Sequence, residues 1–244
     1  MAAARKKLDL YRGRDPRNIP TYSFSEASRC LQIPLETLRS WIRGRSYSTT
    51  VGQRKLDPVI QLPDVNLPLL SFTNLIEAHV LDAIRYRHKV PLENVRRAVK
   101  YLRDRSGSRH PLADYWFQLK GVDLLIEEGG LLVNATKQGQ LVMKDIIQAY
   151  LTRVERDPTG AALRLYPYLH RHPKEPEYEP KLVLIDPRIS FGKPILVGVG
   201  VPTAVVADRH KAGESIAELA KDYGCEATEI EKAIQYERGL QKAA

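Results

Sequence analysis

Two segments of this chain have the residue pattern of a helix-turn-helix, and only the first has the charge that DNA binding requires. The first covers residues 22–47 and opens with Ser23 and Glu26 at the spacing of a capping box. The second covers residues 215–237 and carries an excess of acidic side chains. Residues 1–60 hold twelve Lys and Arg against five Asp and Glu. Because phosphates dominate the affinity for DNA, the sequence predicts that the first segment binds DNA and the second does not.

The second helix of the first segment supplies most of the candidate DNA contacts. Its apolar residues recur at helical spacing, and Gly44 is predicted to end it. Residues 46–62 are then predicted to form two short strands, a wing. The basic stretch before the segment either enters a minor groove or is a solvated tail. The predicted DNA-binding residues are Thr37, Arg39, Ser40, Arg43, Arg45, Arg54, Lys55, Arg12 and Arg14.

Two longer helices are predicted next, from apolar stripes that begin at Phe72 and Leu92. His79 lies on the first stripe and is predicted to be a core histidine. Basic side chains between Arg85 and Arg105 lie opposite the stripes. They either face solvent or follow the DNA backbone.

The sequence predicts a mainly α fold with small β elements, of the α+β class. The predicted parts are a basic arm (1–21), a DNA-binding domain with its helix pair (22–110), a small α+β section (111–165), a Pro-rich linker (166–180) and a C-terminal domain (181–244). In the α+β section, β-like runs at 115–119, 122–127 and 131–134 precede a helix at about 141–156. Four Pro among residues 166–180 favour an extended linker.

The C-terminal domain is predicted to be a β-hairpin, with strands at 181–185 and 194–199, followed by three helices. Glu226, Glu229 and Glu231 lie early in the last helix, where a DNA-reading helix would make its base contacts. Carboxylates there would be repelled by phosphates. This domain is therefore predicted to mediate self-association or partner binding.

Residues 184–237 resemble the small domain known as domain of unknown function 433. The resemblance is carried by Asp-Pro-Arg-Ile from Asp186, Gly-Lys-Pro from Gly192, Val-Pro-Thr from Val201 and Ala-Gly-Glu-Ser-Ile from Ala212. Residues 37–41, Thr-Leu-Arg-Ser-Trp, resemble the helix-turn-helix of MerR-like proteins. Together the two halves are similar to the large VapB-type antitoxins, which pair with PIN-like ribonuclease toxins.

The resemblance implies an antitoxin that binds operator DNA, represses its own operon and neutralises a PIN-like toxin. Two residues depart from the usual helix-turn-helix pattern: Gln32 stands where the turn commonly has Gly, and Pro34 where a Ser or Thr cap is common. A basic extended segment with aromatic residues could fill the acidic cleft of such a nuclease. The predicted toxin-binding residues are Tyr166, Tyr168, Arg171, Lys174 and Tyr178.

We expect a cytoplasmic homodimer that needs no cofactor, metal or membrane. Two copies of a helix-turn-helix that read a palindrome need a symmetric joint. Cys30 and Cys225 lack metal-ligand spacing, and the chain opens without the apolar run of a signal peptide. One alternative is a stand-alone transcription regulator in which residues 112–165 sense a small molecule. An enzyme is disfavoured, because the sequence has no phosphate-binding loop, nucleophile elbow or converging carboxylates.

Overall fold

The computed structural model describes residues 11–49, 52–86, 90–127 and 137–239. Within these ranges the chain forms nine α-helices and four antiparallel sheets of two strands each. The predicted fold class, mainly α with small β elements, is confirmed. None of the helices in the described ranges combines the length and the apolar character that a membrane span requires.

The N-terminal half contains the predicted helix-turn-helix, hairpin and helix pair. The short strands β1 and β4 pair with each other, and β2 pairs with β3. In chain order the elements are β1 (Tyr22–Ser23), α1 (Phe24–Leu31), α2 (Leu35–Ile42), β2 (Arg45–Thr49), β3 (Gly52–Leu56), β4 (Leu69–Leu70), α3 (Phe72–Tyr86) and α4 (Leu92–Ser106). Pro91 directly precedes α4 in an extended conformation, where its missing N–H costs the helix no hydrogen bond.

The middle of the chain is helical where the sequence predicted strands. The runs at 115–119 and 122–127 form one helical stretch, with a π-helical turn at Phe117–Gly121 that continues into α5 (Val122–Glu127). Phe117, Val122 and Leu125 are buried together on one side, a helical periodicity that outweighs the local β propensity. The third run, at 131–134, lies outside the described residues.

The helix predicted at 141–156 begins and ends several residues earlier in the structure. It is α6 (Lys137–Leu151), and a hairpin follows it. The strands of that hairpin are β5 (Val154–Arg156) and β6 (Ala162–Leu165), with a bulge at Glu155 and Arg156.

The C-terminal domain follows the predicted order of two strands and three helices. Its elements are β7 (Val183–Leu184), β8 (Ile195–Leu196), α7 (Thr203–Lys211), α8 (Ile216–Tyr223) and α9 (Ala227–Gly239). A capping box of Ser215 and Glu218 starts α8, and Gly224 ends it in the left-handed conformation that favours glycine.

One continuous core joins the N-terminal half to the middle of the chain. Its buried apolar side chains run from Tyr22 to Ile185, while a second cluster lies within the C-terminal domain around Leu219 and Ile230. His79 is a core residue as predicted, with its Nε2 3.1 Å from the carbonyl oxygen of Tyr150. Burial lowers the pKa of His79 to about 4, so the ring is neutral at physiological pH.

The Pro-rich segment 166–180 is packed against the protein, in contrast to the predicted linker. Pro167, Tyr168 and Leu169 are buried. Arg153, which directly precedes β5, donates hydrogen bonds to carbonyl oxygens at both ends of the segment. The segment therefore belongs to the folded body of the chain.

Candidate nucleic-acid interface

The turn of the first helix-turn-helix has a regular geometry despite its unusual residues. The capping box of Ser23 and Glu26 is formed at the start of α1, as predicted. Gln32 ends α1 in the left-handed conformation, with φ of 57°, where a glycine would be less strained. Pro34 precedes α2 in an extended conformation, with φ of −53° and ψ of 135°. A buried hydrogen bond also stabilises the turn, because the hydroxyl of Ser28 in α1 donates to the carbonyl of Ile33 over 2.6 Å.

The second helix of this motif, α2, separates buried from solvent-facing side chains as the sequence predicts. Leu38, Trp41 and Ile42 are buried and hold α2 on the core. The other side chains, including those predicted to contact DNA, all retain exposed surface. These solvent-facing residues are Glu36, Thr37, Arg39, Ser40 and Arg43.

The arginines on and directly after α2 are held by weak local contacts. Arg39 pairs with Glu36 one turn earlier, and the Glu36 side chain is 80% exposed. A pair this exposed contributes at most about 1 kcal/mol, so a phosphate could replace the carboxylate. Arg43 is exposed and lies over the Phe24 ring, 5.2 Å from its centroid. Glu36 is one of the two acids of this helix-turn-helix, and its place on the solvent side of α2 opposes phosphate binding.

The predicted wing is present as the hairpin of β2 and β3. In its register Arg45 is opposite Leu56, Ser46 opposite Lys55 and Tyr47 opposite Arg54. The backbones of the three predicted DNA-binding residues of the wing, Arg45, Arg54 and Lys55, thus lie on one two-stranded hairpin next to the end of α2.

Arginines on and after α4 bind the segment that leads out of the wing. Arg96 Nε donates to the carbonyl of Asp57 over 2.7 Å, and its Nη2 lies 3.5 Å from the carbonyl of Ser40 in α2. Arg103 and Arg109 donate to the carbonyls of Val59 and Leu62. Burial lowers the pKa of Arg96. These side chains position the hairpin and α2. The sequence predicted that this basic face either faces solvent or follows the DNA backbone, and neither prediction included this role.

The N-terminal basic stretch is described from residue 11 onwards. Arg12 and Arg14 are exposed, and Arg12 has a φ of 51°. The neighbouring Tyr11 hydroxyl donates to the carbonyl of Pro187 in the C-terminal part of the chain. Thr73 in α3 donates to the carbonyl of Arg17. Residues 11–20 are therefore attached to the folded body, with the side chains of Arg12 and Arg14 pointing to solvent.

The predicted toxin-binding residues are separated by the fold into buried and exposed groups. Tyr168 is buried in the core, with its ring under the guanidinium of Arg153. Tyr166 donates its hydroxyl to Glu155, and Arg171 pairs with the buried Asp82. Lys174 and Tyr178 are exposed, and Tyr178 is 78% exposed. Of the five, these last two present the surface that a partner could reach without rearrangement of the segment.

The C-terminal domain presents acids at the start of α9, packs the apolar side of that helix against α7 and α8, and brings Tyr236 to α1. Glu226 and Glu231 are exposed, whereas Tyr236 is completely buried. A cavity of about 320 Å³ lies between the domain and α1, and Arg29 and Glu237 contribute to its lining. Burial raises the pKa of Glu237, although Thr203 donates a hydrogen bond to its carboxylate over 2.5 Å. In the described part of the chain, no three His, Cys, Asp or Glu side chains are grouped so that they could hold a metal ion.

Two family models match separate parts of the chain. Residues 20–99 match a model described as "Putative DNA-binding HTH domain", and residues 183–236 match "Protein of unknown function (DUF433)". The first range contains α1, α2, the hairpin of β2 and β3, and α3. The second covers most of the C-terminal domain. The chain thus combines a helix-turn-helix module with a DUF433 module, as the sequence motifs indicated.

Relatives of similar length occur in Mycobacterium tuberculosis. The protein named "Putative antitoxin VapB45" is 29% identical over 237 residues, which cover 89% of this chain and 93% of that protein. "Uncharacterized protein Rv2308" is 27% identical and covers 88% of this chain and 89% of its own length. The crystal structure of Rv2018 has the same fold, with a TM-score of 0.61 and 24% identity, and covers 88% of this chain and 98% of that one.

Proposed function

We propose that this chain is a DNA-binding antitoxin that binds operator DNA through α2 and the following hairpin. The observation that carries the proposal is the row of Thr37, Arg39, Ser40 and Arg43 on the solvent side of α2, in a module that matches a helix-turn-helix model. A helix-turn-helix inserts its second helix into the major groove, and these residue types bind phosphates and base edges. The hairpin directly after α2 is consistent with a MerR-like arrangement. The relative named as an antitoxin supports the second half of the proposal.

In this proposal the chain represses its own operon as a homodimer and neutralises a PIN-like ribonuclease toxin. A symmetric dimer places two copies of α2 at the spacing of a palindromic site. The exposed acids of α9 keep the DUF433 module off the phosphates. The toxin would bind the exposed part of the Pro-rich segment, where Tyr178 and Lys174 face solvent.

DNA binding is tested by Arg39→Ala and Arg43→Ala on a duplex from upstream of the chain's own coding sequence. If the arginine binds a base, its removal should weaken binding by roughly 1–3 kcal/mol; if it binds a phosphate, its removal should instead reduce the salt dependence of the affinity. Lys221→Ala is the matched control, because it removes one positive charge from an exposed site in α8. Unchanged binding by the Arg39, Arg43 double variant would place the DNA site elsewhere.

Toxin binding is tested by co-expressing the chain with the product of the neighbouring gene and co-purifying the pair. Tyr178→Ala should weaken the complex, since a large exposed aromatic residue is a typical interface anchor. Phe191→Ala is the matched control, because Phe191 is equally exposed, at 77%, on a loop of the C-terminal domain. Full loss of the complex in the Phe191 variant with none in the Tyr178 variant would move the toxin site to that loop.

A stand-alone regulator that senses a small molecule is the second candidate. It is favoured by a cavity of about 370 Å³, partly formed by residues 112–165, whose lining includes Arg17, His110, Arg156, Asp15 and Asp114. Nη2 of Arg156 is buried and makes no hydrogen bond within the described residues, so it suits a carboxylate or phosphate ligand, whereas Arg17 is already paired with Asp15 in the same lining. A thermal-shift series with small carboxylates and inorganic phosphate, together with the co-purification above, separates the two candidates. A stable complex with the neighbouring gene product and no thermal shift would exclude the regulator.

A further inference from the structure

Three buried hydrogen bonds attach the C-terminal domain to the helix-turn-helix. The hydroxyl of Tyr236 in α9 donates to the carbonyl of Cys30 over 2.8 Å. The side-chain amide of Gln32 donates to the carbonyl of Tyr236 over 3.0 Å, and the hydroxyl of Tyr22 donates to the carbonyl of Gly192 over 3.0 Å. A buried polar group without its partner is costly, so these bonds favour one relative position of the two parts.

Two of the three bonds act on the turn that connects α1 to α2. Cys30 lies in the last turn of α1, and Gln32 is the left-handed residue that ends this helix. Gln32 is 5% exposed and Tyr236 is 0% exposed, so water does not compete for these bonds. The approach is close: a Cβ atom placed on Gly239 of α9 would lie 2.7 Å from Oε1 of Gln32.

The position of the turn determines the position of α2. Only Ile33 and Pro34 separate Gln32 from the start of α2 at Leu35. Ile33 is itself bound to α1, because its amide donates to the carbonyl of Ser28. A displacement of Gln32 is therefore passed to α2 through two residues that have little freedom of their own.

We propose that Gln32 and Tyr236 form a clamp through which the C-terminal domain sets the orientation of α2 for DNA binding. This inference rests on the proposed DNA-binding function and gives the C-terminal domain a part in it without any contact to DNA. Gln32 and Tyr236 are positioning residues: they act on DNA through α2. The clamp also accounts for a glutamine at a turn position where glycine is the less strained residue, because the amide bond to α9 offsets the strain.

The variant Gln32→Gly tests the bond to α9 separately from the left-handed conformation of the turn. Glycine adopts the left-handed conformation readily, so the turn keeps its shape and loses the bond to α9 together with the packing of one buried side chain. The probe is the duplex that the wild-type chain enriches most strongly from a random-sequence pool. We expect Gln32→Gly to bind it about 3- to 10-fold more weakly, the range of one buried neutral hydrogen bond. Equal or tighter binding would overturn the clamp.

Tyr236→Phe tests the other half of the clamp while retaining the buried ring. It should weaken binding to the enriched duplex by about 3- to 10-fold as well, and leave binding to an unrelated duplex at low salt unchanged, since non-specific binding depends on charge and not on the exact position of α2. A loss of stability alone would not change this ratio of specific to non-specific affinity. An unchanged ratio of specific to non-specific affinity in either clamp variant would refute the proposal.

Val206→Ala is the matched control for the stability of the C-terminal domain. Val206 is completely buried in α7 and belongs to the core of that domain. The variant should lower the unfolding temperature by a few degrees and leave the affinity for the enriched duplex unchanged at temperatures where the chain is folded. A comparable loss of affinity in Val206→Ala would reduce the clamp to a general stability effect. If the wild-type chain enriches no duplex, the proposed function itself fails, an outcome distinct from equal binding by all variants.

Discussion

Replacing Arg153 with methionine should release the Pro-rich segment 166–180 from the folded body. Arg153 is 2% exposed and donates four hydrogen bonds to backbone carbonyls. The acceptors are Tyr166 at 2.8 Å, Glu179 at 2.6 Å, Pro167 at 3.1 Å and Pro180 at 3.2 Å. Its guanidinium carbon also lies 4.5 Å from the centroid of the Tyr168 ring. One side chain thus joins both ends of the segment to the hairpin of β5 and β6.

The expected loss of stability is several kcal/mol. Hydrogen bonds from a charged donor contribute about 1.5–3 kcal/mol each, so the four bonds contribute roughly 6–12 kcal/mol before costs. Burial of the guanidinium costs several kcal/mol, and its lowered pKa reflects this desolvation. Methionine keeps part of the packing volume. We therefore expect Arg153→Met to lower the free energy of unfolding by about 3–5 kcal/mol, or the unfolding temperature by ~10 °C.

Denaturant unfolding and amide hydrogen exchange measure this prediction together. The free energy of unfolding should fall, and the amides of residues 166–180 should exchange faster than those of α3. Arg97→Met is the matched control, because Arg97 is exposed on α4 and its guanidinium donates to the side chain of Asn94 within the same helix. It should change the stability by less than about 0.5 kcal/mol. An Arg153→Met protein within about 1 kcal/mol of the wild type, with unchanged exchange in the segment, would refute the reasoning.

Two further predictions concern buried carboxylates with opposite pKa shifts. Asp82 is buried and paired with Arg171 and His172; burial opposes its ionisation, but these partners lower its pKa overall. The contribution of Asp82 to stability is therefore complete above its ordinary pKa and is lost as the pH falls through the lowered pKa. Asp82→Asn should lower the free energy of unfolding by about 2–3 kcal/mol at pH 7 and flatten the acid limb of the stability–pH curve. An acid limb that the variant leaves unchanged would contradict this prediction. Burial raises the pKa of Glu237, so its carboxyl group favours folding while it is protonated. As the pH rises through that raised pKa, the group ionises and opposes folding. Thermal unfolding of Glu237→Gln should match the wild type in acid and exceed it at pH 7, and a deficit at pH 7 would show that ionised Glu237 stabilises the fold.

Much of the candidate site could be predicted from the sequence because local interactions determine it. The capping box of Ser23 and Glu26 and the apolar spacing of Leu38, Trp41 and Ile42 involve residues within two helical turns of one another. The same is true of the C-terminal domain, where three helices follow two strands as predicted. These patterns also separate the solvent side of α2 from its buried side, which identified Arg39 and Arg43 as candidates.

Other features depended on contacts that no local pattern contains. The runs 115–119 and 122–127 have a composition compatible with strands, and only burial of Phe117 and Val122 on a shared core made them helical. The Pro-rich segment has the composition of a linker, but a charged side chain placed by β5 holds it. Proline content limits the backbone conformation of a segment and does not determine what the segment packs against.

The sequence by itself determined the helices in the N-terminal half and the C-terminal domain and which helix presents basic side chains to solvent, and it predicts which of the two helix-turn-helix motifs binds DNA. Only the tertiary structure decided how these parts constrain one another. The bond between Tyr236 and Cys30 joins residues 206 positions apart, and that between Gln32 and Tyr236 joins residues 204 positions apart. Periodicity, capping and charge are properties of neighbouring residues, whereas the pairing of a distant donor with a carbonyl depends on how whole elements pack.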